Sequence, residues 1–346
     1  MSSQWLDDLV GDRVYVIAEV SANHNNDLET ARKMVESAAA AGADAVKFQT
    51  YHPDSITIDS DNEEFVVRDG SAWDGRTLHS LYSQGMMPWE WHEELFDLAK
   101  SLGIHAFSSP FDFAAVELLE SLNVPFFKIA SFEITDTRLI ERVARTGKPV
   151  IISTGIAELP DIWRAIETCH QAGNQQVVVL KCTSSYPTAS SELNLRTISD
   201  MQERFGVVIG FSDHTLTPTA SIVAVALGAR VVERHLTLGR EDGGLDSAFS
   251  TNPQEFRELV DAIRETELAL GSVTYDLPAS GRSSRQFARS LYVVKDVVPG
   301  ELVSEENVRS IRPFRGLPAW KWDEVIGKRF VKSASFGTPL SLDLLD

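Results

Sequence analysis

The stretch VYVIAEVSANHNNDLETARKMVESAAAAGADAVKFQT, residues 14–50, joins two runs rich in β-branched residues through a longer amphipathic run. In the longer run, apolar and small residues recur with the spacing of one helix face, at Leu28, Ala31, Met34, Val35 and Ala38. Gly42 follows, as is typical of the residue that ends a helix. The stretch therefore predicts a strand, a helix and a second strand in succession.

The same alternation of short and long runs continues to about residue 270. Short strand-like runs lie at 14–20, 43–50, 104–109, 126–131, 150–154, 177–183, 207–212 and 229–236. Helix-period segments between them include 28–41, 89–102, 114–122, 161–172, 218–227 and 253–270. Alternating strands and helices predict a parallel sheet. Eight such units in roughly 250 residues predict a closed (β/α)₈ barrel, the TIM barrel.

An open, doubly wound sheet is the structural alternative. Such a sheet normally carries a glycine-rich phosphate fingerprint after its first strand. Here the first strand ends in EVSANHNN, residues 19–26, which contains no glycine. This turn favours the barrel.

Two segments interrupt the alternation. Residues 51–88 form a long insertion that includes Trp73 and Tyr82, and long loops on a barrel commonly shape a binding site. Residues 271–285 have the small, polar composition of a linker. Beyond it, residues 286–346 hold short strand-like runs. We therefore expect a barrel at 1–270, a linker at 271–285 and a small β-rich domain at 286–346.

The composition excludes several classes of function. The chain has 346 residues and a formal charge of −18, and acidic proteins lack the basic surface that binds nucleic acid or anionic membranes. No window reaches the roughly 18 apolar residues of a membrane span. The start has no signal-peptide pattern, and two cysteines cannot form a disulfide framework. We expect a cytoplasmic protein with neither a nucleic-acid nor a membrane partner.

Polar residues concentrate where the predicted strands stop, and in a barrel these positions meet on the face that carries active sites. Lys47 and Gln49 are two residues apart and so share one side of a strand, as do Glu233 and His235. Enclosed lysines repel one another unless an anion lies between them. The lysines and serines at the strand ends therefore indicate a site that binds a phosphate or carboxylate group. They are Lys47, Lys128, Lys181, Ser109, Ser131, Ser153, Ser184 and Ser212. Lys181 directly precedes Cys182 and could instead face outward.

Two histidines, His214 and His235, end neighbouring predicted strands. Two neutral imidazoles can hold a divalent metal and leave several coordination positions open. Asp213 and Glu233 are candidates for orienting the two rings. We interpret Cys182 as a small buried residue rather than a nucleophile.

Nine motifs resemble, in order, those of the sialic acid synthase family: IAEVSANHNND, GADAVKFQT, FSSPFD, FKIASFE, STGIAEL, KCTSSYPT, GFSDHT, ERHLTL and FSTNPQEF. SLYVVKDVVPGELVSEENVRSIRP and IGKRFVKSASFGTPL resemble the antifreeze-like (SAF) domain of that family. The resemblance covers residues 13–346. KCTSSYPT, PWEWHEELF and SRQFARSLYVV are most similar to the pseudaminic acid branch, whereas the N-acetylneuraminate branch more typically has Asn in place of Ser184.

The resemblance implies condensation of phosphoenolpyruvate with the open aldehyde form of an N-acylated amino sugar. In the pseudaminic branch this acceptor is 2,4-diacetamido-2,4,6-trideoxy-L-altrose. The products are a nine-carbon acid and phosphate. A divalent cation, Mn²⁺, Mg²⁺ or Co²⁺, is implied as the cofactor.

The resemblance also assigns residues. It implies that phosphoenolpyruvate is bound by Lys47, Ser109, Lys128, Ser131, Ser153, Ser184 and Ser212. His214 and His235 match metal ligands, Glu133 matches a residue at the reacting centre, and Glu19, Tyr186 and Asp246 match catalytic positions that hold the sugar. Arg289 matches an arginine that reaches the acyl group of the sugar from the partner chain, which implies a domain-swapped homodimer. From the residues alone, Arg289 could equally be a surface arginine beside Arg282 and Arg285.

Three alternatives stay open. One is an N-acetylneuraminate or legionaminic acid synthase, with the same chemistry on another sugar. Another is a metal-dependent aldolase or a different phosphate-binding barrel, and a reversible aldolase would release no phosphate from phosphoenolpyruvate. The third is a non-catalytic sugar- or phosphate-binding barrel, for which the loss of Glu133 or of one histidine would be expected. Both are present.

Overall fold

The computed structural model describes residues 13–68 and 73–346. The chain divides into two compact units, with the division between Gly271 and Ser272. This point lies at the start of the predicted linker, which contains the short helix Ala279–Ser284, and a 3₁₀ turn, Arg285–Phe287, begins at its last residue.

The first unit is built on eight parallel strands. They are β1 (Tyr15–Glu19), β2 (Ala45–Thr50), β3 (His105–Pro110), β4 (Phe127–Ile129), β5 (Val150–Ser153), β6 (Val177–Lys181), β7 (Val208–Asp213) and β8 (Val231–His235). Their order in the sheet is β3-β2-β1-β8-β7-β6-β5-β4, and the two end strands, β3 and β4, lie next to each other. The sheet therefore curls into a barrel, which confirms the predicted (β/α)₈ architecture over the open sheet.

Helices connect and surround the strands. The α-helices are α1 (Leu28–Ala41), α2 (Pro53–Ile56), α3 (Leu78–Gly85), α4 (His92–Ser101), α5 (Phe113–Ser121), α6 (Thr137–Ala144), α7 (Leu159–Gln171), α8 (Thr197–Phe205), α9 (Thr219–Ala226), α10 (Pro253–Leu270), α11 (Ala279–Ser284) and α12 (Trp322–Val325). Single 3₁₀ turns occur at Glu63–Phe65, Trp89–Trp91, Ser131–Glu133, Ser190–Glu192, Arg240–Asp242, Ser247–Phe249, Arg285–Phe287, Ala319–Lys321 and Leu342–Leu344. Helices α2 and α3 belong to the predicted insertion 51–88, whose residues 69–72 lie outside the described part. No helix among residues 13–68 and 73–346 is long and apolar enough to cross a membrane.

Local sequence explains the ends of the longest helices. The Asp27 side chain accepts a hydrogen bond from the Thr30 amide at the start of α1, and Gly42 ends that helix with a φ of 89°. At the start of α10, Asn252 and Glu255 form a reciprocal capping box, with Pro253 in the first turn. Both helices consequently have the bounds predicted from the sequence.

The barrel core is continuous and apolar. Its strands are almost entirely buried, and side chains such as Ile17, Phe107, Ile129 and Val179 pack together with the inner faces of the surrounding helices. This packing holds the carboxyl ends of the strands in fixed positions, which is what a site on that face needs.

The second unit is small and rich in β structure. Its two strands, β9 (Ser290–Val293) and β10 (Val308–Ile311), pair antiparallel. It has its own apolar core, which includes Leu291, Val308 and Phe330. The unit agrees with the predicted small β-rich domain.

Candidate active site

Strand register brings the polar strand ends together. Glu19, at the end of β1, is paired with Lys47 of β2 on one side and with His235 of β8 on the other. Ser212 of β7 is paired with Glu233 of β8. The predicted residues of these four strands therefore line one end of the barrel.

Two lysines and two glutamates form a buried charged cluster inside this end. Lys47 Nζ pairs with Glu19 Oε2 and lies 3.7 Å from Glu233 Oε2. Lys128 Nζ donates a hydrogen bond of 3.3 Å to Glu233 Oε1. No member is more than 4% exposed. The lysines are thus held in place by carboxylates before any anion binds. The sequence pattern did not predict this pairing of lysines with glutamates.

The protonation of this cluster follows from burial and from its own charges. Burial raises the pKa of Glu19 despite the neighbouring Lys47. Burial also tends to raise the pKa of Glu233, but Lys128 and Lys47 together hold it below its ordinary value. The negative charge of the two glutamates therefore lies preferentially on Glu233, which ionises more readily than an ordinary glutamate, whereas Glu19 ionises less readily.

Serine hydroxyls complete the polar lining. The Oγ atoms of Ser109 and Ser153 are buried and have no hydrogen-bond partner within the described residues. Ser131 Oγ accepts a 3.1 Å hydrogen bond from the Gly155 amide, and Ser212 Oγ donates one of 3.1 Å to Glu233 Oε1. Buried hydroxyls without a partner are uncommon and indicate a ligand that supplies one.

Gly155 is a residue of this lining whose role the sequence pattern did not reveal. A Cβ atom at this position would lie 1.9 Å from Ser184 Oγ and 2.7 Å from Ser131 Oγ. Only glycine lets the loop after β5 pass between these two hydroxyls. The STG motif of residues 153–155 is the signal that could have identified it.

His214 and His235 lie side by side, with ring centroids 5.3 Å apart. His214 Nδ1 is 2.9 Å from the Thr183 carbonyl oxygen, and donation from Nδ1 leaves the Nε2 lone pair free. His235 Nδ1 is buried, has no hydrogen-bond partner within the described residues and lies 4.0 Å from Asp246 Oδ2. Burial, together with His214 and the nearby lysines, holds the pKa of His235 well below its usual value, so its ring is in the neutral form that binds metals.

These two histidines fit a divalent cation. The described residues contain no group of three or more His, Cys, Asp and Glu side chains arranged to hold a metal ion. A cation held by the two imidazoles would have several coordination positions left for water or substrate.

The predicted partners of the histidines are wrong. Asp213 accepts hydrogen bonds from Ser221 Oγ, at 2.6 Å, and from Arg234 Nη1, at 3.1 Å. Glu233 is bound to the lysines. Because side chains alternate along a strand, Asp213 faces the helix layer instead of the ring of the adjacent His214. The Thr183 carbonyl takes the orienting role for His214.

Lys181 and Cys182 also differ from expectation in detail. Lys181 Nζ donates to the Cys182 carbonyl oxygen, at 2.8 Å, and to Thr183 Oγ1, at 3.2 Å, so it is held by its own loop and does not join the charged cluster. Cys182 is buried as expected, but its Sγ lies 3.6 Å from Ser131 Oγ and 4.0 Å from His214 Nδ1. It packs directly behind the site.

Glu133 lies on the 3₁₀ turn that follows β4. Its Oε2 atom is buried and has no hydrogen-bond partner within the described residues. Burial raises its pKa from 4.5 to about 7. A carboxyl group that exchanges a proton near neutral pH is suited to general acid–base catalysis.

Asp246 is held at the mouth of the barrel by two other loops. Ser21 Oγ donates to Asp246 Oδ2, and Gln49 Nε2 donates a 2.9 Å hydrogen bond to Ser21 Oγ. Burial raises the pKa of Asp246. This chain of hydrogen bonds ties the ends of β1 and β2 to the loop after β8.

Aromatic rings cover the two histidines. The Tyr186 ring centroid lies 4.3 Å from that of His214, and the Phe249 centroid lies 5.2 Å from that of His235. Tyr186 and Phe249 are 4.8 Å apart. Trp73, from the insertion, lies 6.2 Å from Tyr186. Of these rings, the family resemblance had assigned only Tyr186 to the site, and the sequence had placed Trp73 in the insertion expected to shape it.

The remaining predicted site residue, Arg289, lies in the second unit and is exposed. All the others, from Glu19 to Asp246, belong to the first unit.

Comparison with known proteins gives two family matches, one for each unit of the chain. The NeuB family matches residues 34–275, and the SAF domain matches residues 288–346. The chain belongs to the NeuB family. It is 45% identical over 328 residues to pseudaminic acid synthase from Campylobacter jejuni serotype O:2, with 95% of each chain covered.

Two further relatives are synthases of other nonulosonic acids. The N,N'-diacetyllegionaminic acid synthase of the same Campylobacter strain is 35% identical, over 93% of this chain and 97% of its own. The crystal structure of N-acetylneuraminic acid synthetase from Leptospira borgpetersenii is 29% identical, with a TM-score of 0.70 over 79% of this chain and 90% of its own. The NeuB and SAF matches agree with the resemblance inferred from the nine motifs.

Proposed function

We propose that this chain is a pseudaminic acid synthase. It condenses phosphoenolpyruvate with 2,4-diacetamido-2,4,6-trideoxy-L-altrose and water to give pseudaminic acid and phosphate. The observation that carries the proposal is the placement of an anion site, Lys47 and Lys128, and a histidine pair, His214 and His235, on one barrel face with Glu133. The 45% identity to a pseudaminic acid synthase supports the choice of acceptor.

The anion site binds phosphoenolpyruvate. Lys47 and Lys128 supply the positive charge, and the hydroxyls of Ser109 and Ser153, which have no hydrogen-bond partner among residues 13–68 and 73–346, supply hydrogen bonds. The remaining contacts come from Ser131, Ser184 and Ser212. Because Glu233 fixes both lysines in advance, little reorganisation is needed when the ligand binds. The enol carbon is thereby held in register with the acceptor.

The acceptor aldehyde lies at the histidine pair. His214 and His235 would hold the divalent cation, Mn²⁺, Mg²⁺ or Co²⁺, which acts as a Lewis acid on the aldehyde oxygen when bound. Tyr186 packs against His214, and Asp246 is anchored beside His235. These two residues, together with Glu19, hold the hydroxyl and amide groups of the sugar.

Glu133 acts after the carbon–carbon bond has formed. Attack by the enol carbon of phosphoenolpyruvate on the aldehyde leaves positive charge at the former enol C2, and water adds there. Ionised Glu133 accepts the proton of that water. The bond between C2 and the bridging oxygen then breaks, and phosphate leaves with that oxygen. The C2 hydroxyl gives up its proton and becomes the ketone of an open-chain 2-keto acid, while the former aldehyde oxygen is protonated to a hydroxyl group. Addition of a hydroxyl group from the acceptor part to this ketone closes the ring and makes C2 the anomeric centre.

We further propose that the active form is a domain-swapped homodimer. In it, residues 271–285 are a linker and the second unit of one chain covers the barrel of the other, so that Arg289 contacts the acyl group of the sugar. The exposed ring of Phe132, which is 61% exposed beside Glu133, is an apolar surface that such a cover would bury. Since both substrates are metabolites of the cytoplasm and both cysteines are free, we assign the enzyme to that compartment.

A legionaminic acid synthase is the second candidate, because the chain is also 35% identical to one. The test of the shared chemistry is release of phosphate from phosphoenolpyruvate in the presence of each acceptor. We expect phosphate only when an acceptor sugar is present, and most rapidly with 2,4-diacetamido-2,4,6-trideoxy-L-altrose. Absence of phosphate with every acceptor would overturn the synthase assignment and favour an aldolase or a binding protein.

A further inference from the structure

Within the described part of the insertion, residues 51–68 and 73–88, only the Trp73 ring contacts Tyr186 and Phe249, the two rings that cover the histidines. Its indole Nε1 donates a 3.3 Å hydrogen bond to the Leu245 carbonyl oxygen, directly before Asp246. Its ring centroid lies 6.2 Å from Tyr186 and 6.3 Å from Phe249. The insertion is thereby joined to the loop that carries Asp246.

The rings are arranged in layers above the histidine pair. Tyr186 and Phe249 pack on His214 and His235, and Trp73 packs edge-on against both of these rings. In the proposed synthase, an acceptor with its aldehyde carbon at the histidines would extend away from them, which would bring its C6 end to the outer layer.

The Trp73 surface at that position is apolar. The only polar atom of the indole ring already donates to Leu245, which leaves carbon atoms to contact a ligand. Phe249 is 5% exposed and packs beneath Trp73, so the contact surface is that of the Trp73 ring. A methyl group at C6 fits this surface, whereas a hydroxyl group there would lose its hydrogen bonds to water.

We propose that Trp73 determines acceptor specificity by packing against the C6 methyl group of a 6-deoxy amino sugar. The proposal rests on the proposed synthase function and adds to it the residue that distinguishes a 6-deoxy acceptor from a 6-hydroxy one. The insertion then selects the acceptor through a contact remote from the reacting carbon, while the anion site is unaffected.

The test compares 2,4-diacetamido-2,4,6-trideoxy-L-altrose with its 6-hydroxy analogue. We expect wild type to prefer the 6-deoxy sugar in kcat/KM by about tenfold to a hundredfold, the range by which an apolar pocket discriminates against an added hydroxyl. Trp73→Ala should reduce the preference to about threefold or less, with an unchanged KM for phosphoenolpyruvate. Trp73→Phe, which keeps an apolar ring but loses the bond to Leu245, should retain most of the preference.

Trp163→Ala is the matched control, since Trp163 lies on α7 and packs against Phe205. It should leave the preference unchanged. An equal loss of kcat/KM with both sugars in Trp73→Ala, or a parallel rise in the KM for phosphoenolpyruvate, would assign Trp73 a purely structural role and overturn the proposal. If the wild-type enzyme turns over other acceptors but neither of these two sugars, the proposed acceptor is wrong and this inference fails with it. If the wild-type enzyme is active with these sugars and Trp73→Ala keeps the same preference between them, this inference alone is overturned.

Discussion

Asp213 and Arg234 form a buried ion pair, with Arg234 Nη1 3.1 Å from Asp213 Oδ2, and each residue directly precedes one histidine of the site. Arg234 Nη1 also donates to the Thr217 carbonyl oxygen, at 2.9 Å. The pair therefore joins the end of β7, the loop after it and the end of β8. It lies on the outer side of the strands, while His214 belongs to the site.

Loss of one partner of this pair should destabilise the fold. Arg234→Met leaves a buried carboxylate without its cation, and breaking a buried pair in this way costs about 3–5 kcal/mol. Denaturant unfolding measures the loss. The double variant Asp213→Asn/Arg234→Met should lose clearly less than the sum of the single variants, and strictly additive losses would show that the two side chains do not interact.

Removal of either histidine should abolish activity without unfolding the protein. His214 and His235 lie at strand ends on the face of the barrel that carries the site, so the far-UV circular dichroism of each alanine variant should stay close to wild type and show that the barrel has formed. Isothermal titration with Mn²⁺ should detect no high-affinity binding to either variant. His79→Ala, on the insertion, is the control and should bind as wild type does. Near-normal turnover of His214→Ala or His235→Ala in metal-depleted buffer would refute the metal site.

Lys47→Ala and Lys128→Ala should weaken phosphoenolpyruvate binding. Each removes a charge-assisted contact of roughly 1.5–3 kcal/mol, which corresponds to about tenfold to a hundredfold in affinity. Steady-state KM values for both substrates measure the effect, which should be much smaller for the sugar. Lys181→Ala is the matched control, because that ammonium group is held by its own loop. An equal effect of all three substitutions would count against the proposed anion site.

The pH dependence of the reaction should report Glu133. Its pKa is raised to about 7, and the proposed base is the ionised form, so kcat/KM should fall as the pH drops through this value. Glu133→Gln should lower the rate by about 10²–10⁴ and remove this acidic limb from the remaining activity. If the residual kcat/KM of Glu133→Gln still falls as the pH drops through about 7, the titrating group is not Glu133.

Subunit exchange tests the proposed swapped dimer. Arg289→Ala and Glu133→Ala are each expected to be inactive, but a mixed dimer would contain one site with both residues intact. An equal mixture after exchange should therefore recover about a quarter of wild-type activity, since half the dimers are mixed and each has one complete site. No recovery despite proven exchange would exclude a contribution of Arg289 across the dimer.

Local sequence predicted the barrel well because each element carries its own signals. Asp27 and Gly42 delimit α1, and Asn252 begins α10, so both helices could be placed from the sequence. Pairs on neighbouring strands, such as Glu19 and Lys47, also follow from the chain order once a barrel is assumed.

Contacts across the barrel could not be predicted in this way. Lys128 on β4 and Glu233 on β8 belong to strands that are not neighbours, and they meet only because the closed sheet directs both side chains inward. The position of Trp73 against Phe249 likewise depends on how a long insertion folds back. The roles of the individual site residues stay predictions until the variants above are measured.

The most direct test of the central claim is mass spectrometry of the products formed from phosphoenolpyruvate and a panel of acceptor sugars. With 2,4-diacetamido-2,4,6-trideoxy-L-altrose, the account predicts a product with the mass of acceptor plus phosphoenolpyruvate plus water minus phosphoric acid, together with one equivalent of phosphate. It also predicts that this acceptor is consumed first when it competes with N-acetylmannosamine and with the legionaminic acid precursor. A product formed only from one of the competitors, or no condensation product at all, would contradict the account.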